Sequence, residues 1–399
     1  MGNKCRMKLW LIKLGKVLAA LQEEGLVRGG KRSLKSFFAL FRKVGSGDIL
    51  FITGGLGDSA LYRSWHVAEE LRLNGFAAAV TVQDNPFVSR YADTFSVFVF
   101  HRVLYTKNIA RLIKKIKERK KEIIFETDDL VFDRKYFQHM DYFRKMNYFE
   151  RKQYQGGIGA EILADPYVKV CTASTSFLAA KLEERGKKVF VVRNKLSKGD
   201  VSALNDLYDR KKRTPRADEK IVIGYFSGAK GHDKDFAVIA DALKEILERF
   251  PKAELFLAGP LGIGDAWRAY EKRIRRTAYV PRNEHFANVA RTDINLAPLE
   301  VGNPFCESKS ELKWFEAGLL AVPTVAAATK TFKEAIIDGV DGYVAATTEE
   351  WVAKLSRLIE DAPFRRSMGE KAREKVLERY TTQTGKSEEY YNYLRSKIV

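Results

Sequence analysis

A glycine-rich loop, residues 53–60 with the sequence TGGLGDSA, is the first segment whose residue types could do chemistry. It follows an apolar run and opens a helical stretch. Gly55 and Gly57 would therefore let backbone N–H groups approach an anion at a helix amino terminus. The spacing fits neither the dinucleotide fingerprint nor the Walker loop. The loop alone leaves two alternatives, a ligand-binding loop and a tight turn.

Acidic residues gather at the end of another apolar run. Glu126, Asp128 and Asp129 stand close in sequence, and three carboxylates there are costly unless they meet a cation, sugar hydroxyls or the start of a helix. Asp129 as a helix N-cap would explain one of them without a functional role. His101 and Arg102 follow the preceding apolar run, and we expect them on the same rim as the acids.

A second glycine loop, residues 224–232 with the sequence GYFSGAKGH, ends the first apolar run of the second half. Small residues with a single lysine, Lys230, suit a diphosphate because the ammonium group acts as a point countercharge. A solvated turn lysine is the alternative. His232 and Asp235 either orient the loop or cap the following helix.

The most specific segment, residues 303–318, has the sequence NPFCESKSELKWFEAG and leads into VPTVA at 322–326. It predicts a loop, a helix and a strand. Lys309 falls near the amino terminus of that helix, an end that favours anions. Glu316 lies two helical turns further on the same face. It interrupts an apolar surface there and therefore requires a hydroxyl or cationic partner.

Strand–helix alternation from residue 48 onward supplies the elements that must position these segments. Short apolar runs alternate with amphipathic helical stretches, which is typical of parallel sheets covered on both faces. We expect an α/β fold with two tandem Rossmann-like sheets that face a cleft, because ligands of open α/β sheets bind at the carboxyl ends of the strands. The predicted strands are 49–53, 78–82, 97–100, 123–126, 168–172, 189–192, 221–226, 254–258, 278–280, 294–297 and 324–326.

Shifts in composition predict the domain boundaries. Residues 194–219 become polar and charged, with KKR at 211–213 and Pro215, which is typical of a linker. We expect the carboxyl-terminal helix to pack back on the first domain. The predicted units are a basic arm at 1–47, a first Rossmann-like domain at 48–200, a linker at 201–219, a second Rossmann-like domain at 220–380 and the carboxyl-terminal helix at 381–399.

The first 47 residues concentrate positive charge. They hold eleven lysines and arginines and two glutamates, a net charge of +9 out of the +19 of the 399-residue chain. Across residues 7–44 apolar side chains recur at helical spacing, and a basic amphipathic helix favours the surface of an anionic membrane. Packing on the protein's own core and contact with RNA are the alternatives. Lys13 and Lys16 interrupt the apolar run, which argues against a signal peptide and a spanning helix.

The overall composition, 45% hydrophobic and 30% charged, excludes a disordered chain and a multi-span membrane protein. The excess of basic residues implies a negatively charged partner. Three cysteines occur, Cys5, Cys171 and Cys306, far apart in the sequence. This excludes a disulfide framework or a cysteine-ligated zinc site and favours a reducing compartment.

On these segments the sequence resembles GT-B glycosyltransferases of the family 4 type (glycosyl transferases group 1). The second half has the family's glycine/lysine loop after its first strand. Glu316 matches the second glutamate of the family's E-x7-E motif, and VPTVA matches the strand that follows. The resemblance covers about residues 48–380. A bacterial surface-polysaccharide subgroup shares Tyr62-Arg63, DDLVF at 128–132, SGAKGHDKDF at 227–236 and KSELKWFE at 309–316.

Two positions depart from the family pattern. Tyr225 stands where the family usually has an arginine, two residues into the first donor-domain loop, and we expect Lys309 to replace the missing charge. The first glutamate of the E-x7-E motif falls at Ser308, with Glu307 one residue early. The role of Glu307 is therefore open.

The resemblance implies transfer of a sugar from a nucleotide diphosphate-sugar with retention at the anomeric carbon, with no metal, no further cofactor and no enzyme nucleophile. Lysines and helix N–H groups would then stabilise the departing diphosphate, and Glu316 would hold the donor ribose. The candidate catalytic residues are Lys230, Lys309, Asp128 and His101. The candidate donor ligands are Gly228, Lys230, His232, Ser308, Lys309, Ser310 and Glu316. The candidate acceptor or cleft residues are Gly55, Gly57, Asp58, Tyr62, Arg63, Arg102 and Asp129.

With the basic arm, the resemblance implies a glycan or lipid-linked acceptor at the cytoplasmic face of the membrane, in the biosynthesis of surface polysaccharide or lipopolysaccharide. One alternative is a metal-dependent transferase of the GT-A type that uses Glu126 and Asp128 as its metal pair. Others are a sugar-nucleotide epimerase and a non-catalytic protein that binds membrane or nucleic acid on a GT-B fold. The sequence has no helix-turn-helix, RNA-recognition or zinc signature, so we expect no specific nucleic acid.

Overall fold

The computed structural model describes residues 40–141, 143, 146, 151, 154, 156–213, 220–228 and 231–398. Within them, twelve strands form two parallel sheets of six, in the orders β2-β1-β3-β4-β5-β6 and β12-β11-β10-β7-β8-β9. The predicted α/β class with two Rossmann-like sheets is thereby confirmed. The strands are β1 Ile49–Thr53, β2 Ala78–Val82, β3 Val97–His101, β4 Glu122–Thr127, β5 Val170–Ala173, β6 Lys188–Val191, β7 Ile221–Phe226, β8 Ala253–Ala258, β9 Ile274–Thr277, β10 Ile294–Ala297, β11 Thr324–Ala327 and β12 Tyr343–Ala345.

The central strands are continuous apolar runs in the sequence because both faces of each sheet are buried. Every residue of β1, β3 and β7 is buried, as expected for parallel strands covered by helices on both sides. Register then aligns the polar residues that end the strands, since Thr53 pairs with His101 and His101 with Glu126. The carboxyl edge of the first sheet therefore carries a row of polar side chains.

Helices cover both sheets and begin where the sequence offers caps. Thr106, Thr175 and Thr347 each accept a hydrogen bond from the first turn of the helix that follows, which satisfies an otherwise unpaired N–H. A π-helical turn at Leu61–His66 interrupts the helix that follows β1. The longer helices are Val67–Leu73, Lys107–Glu118, Ser176–Glu183, Lys198–Arg213, Ala240–Arg249, Arg282–Ala290, Leu312–Leu319, Thr348–Glu360, Ala362–Arg379 and Glu388–Arg395. The short ones are Asp58–Ala60, Ala160–Ala164, Asp233–Ala237, Pro304–Glu307 and Lys330–Ala335, with 3₁₀ turns at Val88–Asp93, Leu130–Phe132, Arg134–His139 and Asp265–Arg273.

The carboxyl-terminal helix Glu388–Arg395 packs on the first sheet, although it follows the second domain in the chain. Tyr390, Tyr391 and Leu394 are buried in the same apolar cluster as residues of β1, β3 and β6. The Tyr391 hydroxyl donates to Glu70. The chain thus crosses between the two domains twice.

The segment predicted as a linker, 201–219, is helical over most of its length. Residues up to Arg213 belong to the helix Lys198–Arg213, and residues 214–219 lie outside the described part of the chain. Leu204 and Tyr208, four residues apart, are the buried positions of this helix, and Leu204 joins the core of the second domain. Two apolar residues at helical spacing therefore anchor the helix despite its polar composition.

Two edge strands also depart from the prediction. The strand expected at 278–280 lies at Ile274–Thr277, and β12 at Tyr343–Ala345 was not predicted. Both lie at the edges of the second sheet. Edge strands need only one neighbour and are short or polar, so apolar periodicity does not identify them.

The arm lies mostly outside the described residues, which begin at Leu40. Its last residues are anchored to the first domain, where the Asn85 amide donates to Arg42 O and Val44 N donates to the Tyr91 hydroxyl. Among the helices that the structure describes, none is long and apolar enough to cross a bilayer.

We expect Leu394→Ala to lower the free energy of unfolding of the first domain by about 2–5 kcal/mol, because Leu394 is fully buried against the first sheet. The exposed Glu388→Ala on the same helix should change it by less than about 0.5 kcal/mol. Urea unfolding followed by tyrosine fluorescence measures both. An L394A protein as stable as wild type would contradict this packing.

Candidate active site

The carboxyl edges of the two sheets meet, and hydrogen bonds join them directly. The Tyr62 hydroxyl donates to Glu316 Oε1 over 2.6 Å. Lys309 Nζ lies 2.8 Å from Asp129 Oδ2, and the Asn194 amide donates to Ser310 Oγ over 2.8 Å. Residues from the segments that the sequence singled out in each half therefore line one cleft.

His101 is the centre of a polar cluster on the first-domain side. Its Nδ1 lies 3.1 Å from Thr53 Oγ1, and its Nε2 lies 3.2 Å from Ser59 Oγ and 3.4 Å from Asp128 Oδ1. The Ser59 hydroxyl donates to Asp128 Oδ2 over 2.6 Å. We assign the tautomer with Nε2–H directed at Asp128, because a carboxylate can only accept.

Asp128 is held ionised by its neighbours. Burial would raise the pKa of this carboxyl, but the Arg102 guanidinium, His101 and Ser59 together hold it well below its usual value. Arg102 Nε donates to Asp128 Oδ1 over 2.7 Å. Asp128 is therefore a fixed acceptor for hydroxyl donors, and a weak base towards protons.

Backbone strain positions Arg102. Its φ is 49°, in the left-handed region, and a Cβ at Gly54 would lie 2.0 Å from Arg102 O. Glycine is thus required at position 54 so that the first loop can pass the end of β3. Strain of this kind persists where the surroundings fix it and is concentrated at functional sites.

Asp129 has two functions in the structure. Its Oδ1 caps the turn Leu130–Phe132 by accepting from Leu130 N over 2.8 Å. Its Oδ2 accepts from Arg102 and from Lys309 across the cleft, over 3.2 and 2.8 Å. The N-cap and cleft interpretations of Asp129 therefore hold together.

Glu316 is the corresponding carboxylate of the second domain. Arg282 Nη1 and His285 Nε2 each lie 3.3 Å from its oxygens, in addition to the Tyr62 hydroxyl. Burial would raise its pKa, but the His285 hydrogen bond and the charge of Arg282 lower it to about 2. Glu316 is therefore a carboxylate at every physiological pH.

Arg282 links the Glu316 carboxylate to Asp200 on the helix Lys198–Arg213. Its guanidinium also bonds Asp200 over 3.0 Å and donates to the Tyr62 hydroxyl. The Arg282 charge lies 4.6 Å from the centre of the Tyr62 ring. Arg282 and His285 begin the helix Arg282–Ala290 one turn apart, so they share one face.

The structure contains site residues that the sequence analysis did not identify. Arg282 and His285 follow Pro281, and Pro281 followed by an arginine and a histidine one turn apart was the available signal. Ser59 lay inside the first glycine loop. Lys313, three residues before Glu316 and hence on its face, was overlooked beside Lys309.

The other predicted residues lie at the rim or outside the described part. Gly55, Gly57, Asp58 and Gly228 are exposed at strand ends. His232 Nδ1 lies 2.8 Å from Asp235 Oδ2, so these two side chains brace the second loop. Lys230 lies outside the described residues, and its role stays a prediction.

Two expectations about individual residues are wrong. Arg63 does not face the cleft, because it is fully buried and its guanidinium binds both oxygens of Glu126, over 2.7 and 3.0 Å. Ser308 is also fully buried and donates to Phe305 O over 2.7 Å, within its own loop. Tyr62 lies in the cleft, where its hydroxyl reaches Glu316 of the second domain.

The same contacts settle two open questions. Glu307 accepts from Gly302 N over 3.0 Å and from Lys330 N over 2.8 Å, so it joins two loops. Glu126 is committed to Arg63 and also accepts from Thr172. The metal pair of the GT-A alternative is therefore absent from this part of the described structure.

Asp235, Glu300 and Cys306 are the described residues whose geometry approaches that of a metal site, with ligand atoms within 4.8 Å of one another. The Cys306 thiol donates to Asp235 Oδ1 over 3.4 Å. Burial raises the pKa of this thiol, and the Asp235 charge raises it further. The hydrogen bond between the thiol and Asp235 holds two of these three ligand atoms together.

We expect Arg63→Met to lower the free energy of unfolding by about 3–5 kcal/mol, because it leaves the buried Glu126 carboxylate without its partner. Replacing both residues, Arg63→Met with Glu126→Met, should restore most of that stability. Lys114→Ala, which removes an exposed ion pair with Glu118, is the control and should change little. Equal stability of wild type and R63M in urea would disprove the structural role of Arg63.

Comparison with known proteins finds one matching family in the second half of the chain. A family of glycosyl transferase-like domains matches residues 239–385, a range that includes Arg282, His285, Lys309 and Glu316. No curated protein matches the chain in sequence.

Solved structures match over most of the chain at low identity. The Anabaena protein HepE, solved with UDP and glucose, has 15% identity and a TM-score of 0.57 over 88% of this chain and 100% of its own. Sucrose-phosphate synthase of Thermosynechococcus elongatus has 11% identity and a TM-score of 0.55 over 88% and 98%. The catalytic domain of starch synthase IV of Arabidopsis thaliana, bound to ADP and acarbose, has 11% identity and a TM-score of 0.54 over 89% and 100%. The chain thus has the GT-B fold with a glycosyl transferase-like domain in its second half, and these findings together support a transferase.

Proposed function

We propose that this protein transfers a sugar, with retention of anomeric configuration, from a nucleotide diphosphate-sugar to a hydroxyl of a glycan or lipid-linked acceptor. The observation that carries the proposal is the pair of ionised carboxylates on opposite sides of one cleft, Asp128 on the first domain and Glu316 on the second. The glycosyl transferase-like domain contains the second of them. The solved GT-B structures of similar fold include complexes with UDP, UDP-glucose and ADP.

On the donor side, Glu316 would hold the ribose of the nucleotide. A carboxylate fixed by Arg282 and His285 keeps lone pairs for two vicinal hydroxyl donors. Glu316 Oε1 already accepts one hydroxyl, that of Tyr62, over 2.6 Å. A ribose hydroxyl would take the place of that phenol.

The departing diphosphate would lie between the second glycine loop and the start of the helix Leu312–Leu319. Gly228 leaves open space beside the loop backbone, and the N–H groups that begin the helix point away from its carboxyl end. Lys309 and Lys230 would add positive charge. Preorganised charge of this kind lowers the barrier most when it meets charge that develops in the transition state.

On the acceptor side, Asp128 would orient the attacking hydroxyl. Its low pKa makes it a hydrogen-bond acceptor, and His101, Ser59 and Arg102 fix its position. Lys309 and Asp129 join the two domains beside it. Closure around both substrates would exclude water and so limit hydrolysis of the donor. Because lysines and N–H groups neutralise the leaving group, we propose that the reaction requires no metal.

The location that we propose in the cell rests on the amino-terminal arm. Its charge of +9 in 47 residues suits an anionic membrane surface, and we place the protein peripherally at the cytoplasmic face, in surface-polysaccharide biosynthesis. The acceptor would then be a membrane-borne glycan.

A thermal-shift screen with UDP, GDP, dTDP, ADP and CMP tests nucleotide binding. A ligand at 100 times its dissociation constant adds about 2.7 kcal/mol to the free energy of unfolding, which raises the melting temperature by a few degrees. A shift with one diphosphate supports the proposal. No shift with any of them contradicts it.

We expect Glu316→Gln to reduce that nucleotide-induced shift to less than half, because an amide replaces one charged acceptor of the ribose hydroxyls by a donor. The exposed Glu334→Gln on the same domain is the matched control and should keep the full shift. The melting temperature without nucleotide shows whether either variant is folded. A full shift in E316Q would exclude Glu316 from the ribose site.

Deletion of residues 1–46 should release the protein from vesicles containing phosphatidylglycerol, since each basic residue near an anionic surface contributes about 1 kcal/mol of binding. Sedimentation with such vesicles at low and high salt measures the effect, and phosphatidylcholine vesicles are the control. Equal sedimentation of the truncated and full-length proteins would refute the membrane role of the arm.

A further inference from the structure

Two lysines four residues apart in sequence have different surroundings: Lys309 precedes the helix Leu312–Leu319, and Lys313 lies in its first turn. Lys309 Nζ is already neutralised, since it lies 2.8 Å from Asp129 Oδ2. Lys313 has no carboxylate within 4.0 Å among the residues that the structure describes. Its Nζ donates to the backbone oxygen of Phe226 and lies 4.6 Å from the centre of the Tyr225 ring.

The position of Lys313 places its charge at the loop that follows β7. Phe226 is the last residue of β7 and belongs to the second glycine loop, whose later residues follow the strand. Glu316 is three residues further on the same helix, so both side chains project from one face. The ammonium group therefore lies at the end of β7 and belongs to the same helix as the carboxylate that would hold the ribose. In a nucleotide the diphosphate is attached to that same ribose.

Tyr225 is the reason why the position of the Lys313 charge matters. The resemblance leads one to expect an arginine at position 225, and a tyrosine supplies no charge. Tyr225 is fully buried, and the Lys313 ammonium lies against its ring. A cation is therefore present at this strand end, but it comes from the helix Leu312–Leu319 instead of from β7.

We propose that Lys313, and not Lys309 alone, is the cation that binds the diphosphate of the sugar donor. This rests on the proposed function, since it assigns a residue to the donor of the same reaction. Lys309 instead spans the cleft to Asp129. The ligand class is a nucleoside diphosphate, with Lys313 as a point countercharge to the phosphate oxygens.

The electrostatics of Lys313 agree with an unfilled anion partner. Burial lowers its pKa to about 8, although Asp235 and Glu316 act to raise it. The titratable groups near it are Glu316 on its own helix, Asp235 on the helix Asp233–Ala237 and the Tyr225 hydroxyl on β7. A desolvated cation without a close carboxylate is costly, and a bound diphosphate would relieve that cost and raise the pKa.

The test is calorimetry of UDP, GDP, ADP and dTDP at pH 8, each paired with its own nucleoside, on wild type, Lys313→Met and Lys313→Arg. Lys313→Met should weaken binding of the diphosphate that wild type prefers by about 10- to 100-fold, the range for a hydrogen bond to a charged group. Affinity for the nucleoside should change less than about twofold, because it lacks the phosphates. Lys313→Arg should retain most of the diphosphate affinity.

Proton uptake on binding of the diphosphate distinguishes a phosphate-binding role of Lys313 from a structural one. At pH 8 a group with a pKa of about 8 is half protonated, so binding that raises the pKa takes up as much as about half a proton. Binding enthalpies in buffers of different ionisation enthalpy measure it. Wild type should show the uptake, and K313M and K313R should not. The surface variant Lys244→Met removes one charge from the same domain and should behave as wild type.

The outcomes distinguish the two proposals. If wild type binds no diphosphate, the proposed function and this inference both fail. If K313M binds the diphosphate with wild-type affinity and uptake, the inference is overturned and the nucleotide site stands. If K313M has a lowered melting temperature, K313R provides the test, because it keeps the charge. K313R must then keep most of the affinity for the diphosphate and show no proton uptake.

Discussion

The Glu316 carboxylate can be buried at the cleft only because donors from both halves of the chain surround it. Arg282 and His285 come from its own domain, and the Tyr62 hydroxyl comes from the helical segment after β1. Arg282 also binds Asp200 on the helix that connects the domains. A buried charge without such partners would be protonated or would destabilise the fold. The relative position of the domains and the chemistry of the donor side therefore depend on the same few hydrogen bonds.

Charge is distributed unequally across the cleft, and this determines what each side can bind. On the first domain, Asp128 and Asp129 both bind Arg102, so the local charge is close to balanced. The carboxylate oxygens there can still accept hydrogen bonds. On the second domain, Lys313 has no close carboxylate among the described residues. The first arrangement suits neutral hydroxyls, and the second suits an anion. In the proposed reaction the nucleotide diphosphate-sugar is an anion, and the acceptor hydroxyl is neutral.

Much of the fold follows from the sequence, because buried parallel strands are apolar throughout their length. β1, β2 and β7 have the predicted bounds. The helix Lys198–Arg213 was missed because only Leu204 and Tyr208 are buried in a highly charged segment. Short edge strands such as Tyr343–Ala345 lack the apolar run altogether.

The site was predicted less completely than the fold, for a physical reason. Sequence places a polar residue at a strand end, but it does not decide which way the side chain turns. Arg63 follows Tyr62 directly, yet Arg63 points into the first domain towards Glu126 while Tyr62 reaches across to Glu316. Lys309 and Lys313 stand four residues apart, yet Lys309 reaches across the cleft to Asp129 while Lys313 turns to Phe226 of its own domain. These assignments depend on contacts between residues far apart in the chain.

A crystal structure of the protein with a bound nucleoside diphosphate would show whether the cleft between Asp128 and Glu316 holds the nucleotide. We expect the ribose hydroxyls within hydrogen-bond distance of Glu316, the Tyr62 hydroxyl displaced from Glu316 Oε1, and a phosphate oxygen within about 3 Å of Lys313 Nζ. A nucleotide bound elsewhere, with the contact between Tyr62 and Glu316 intact, would contradict it.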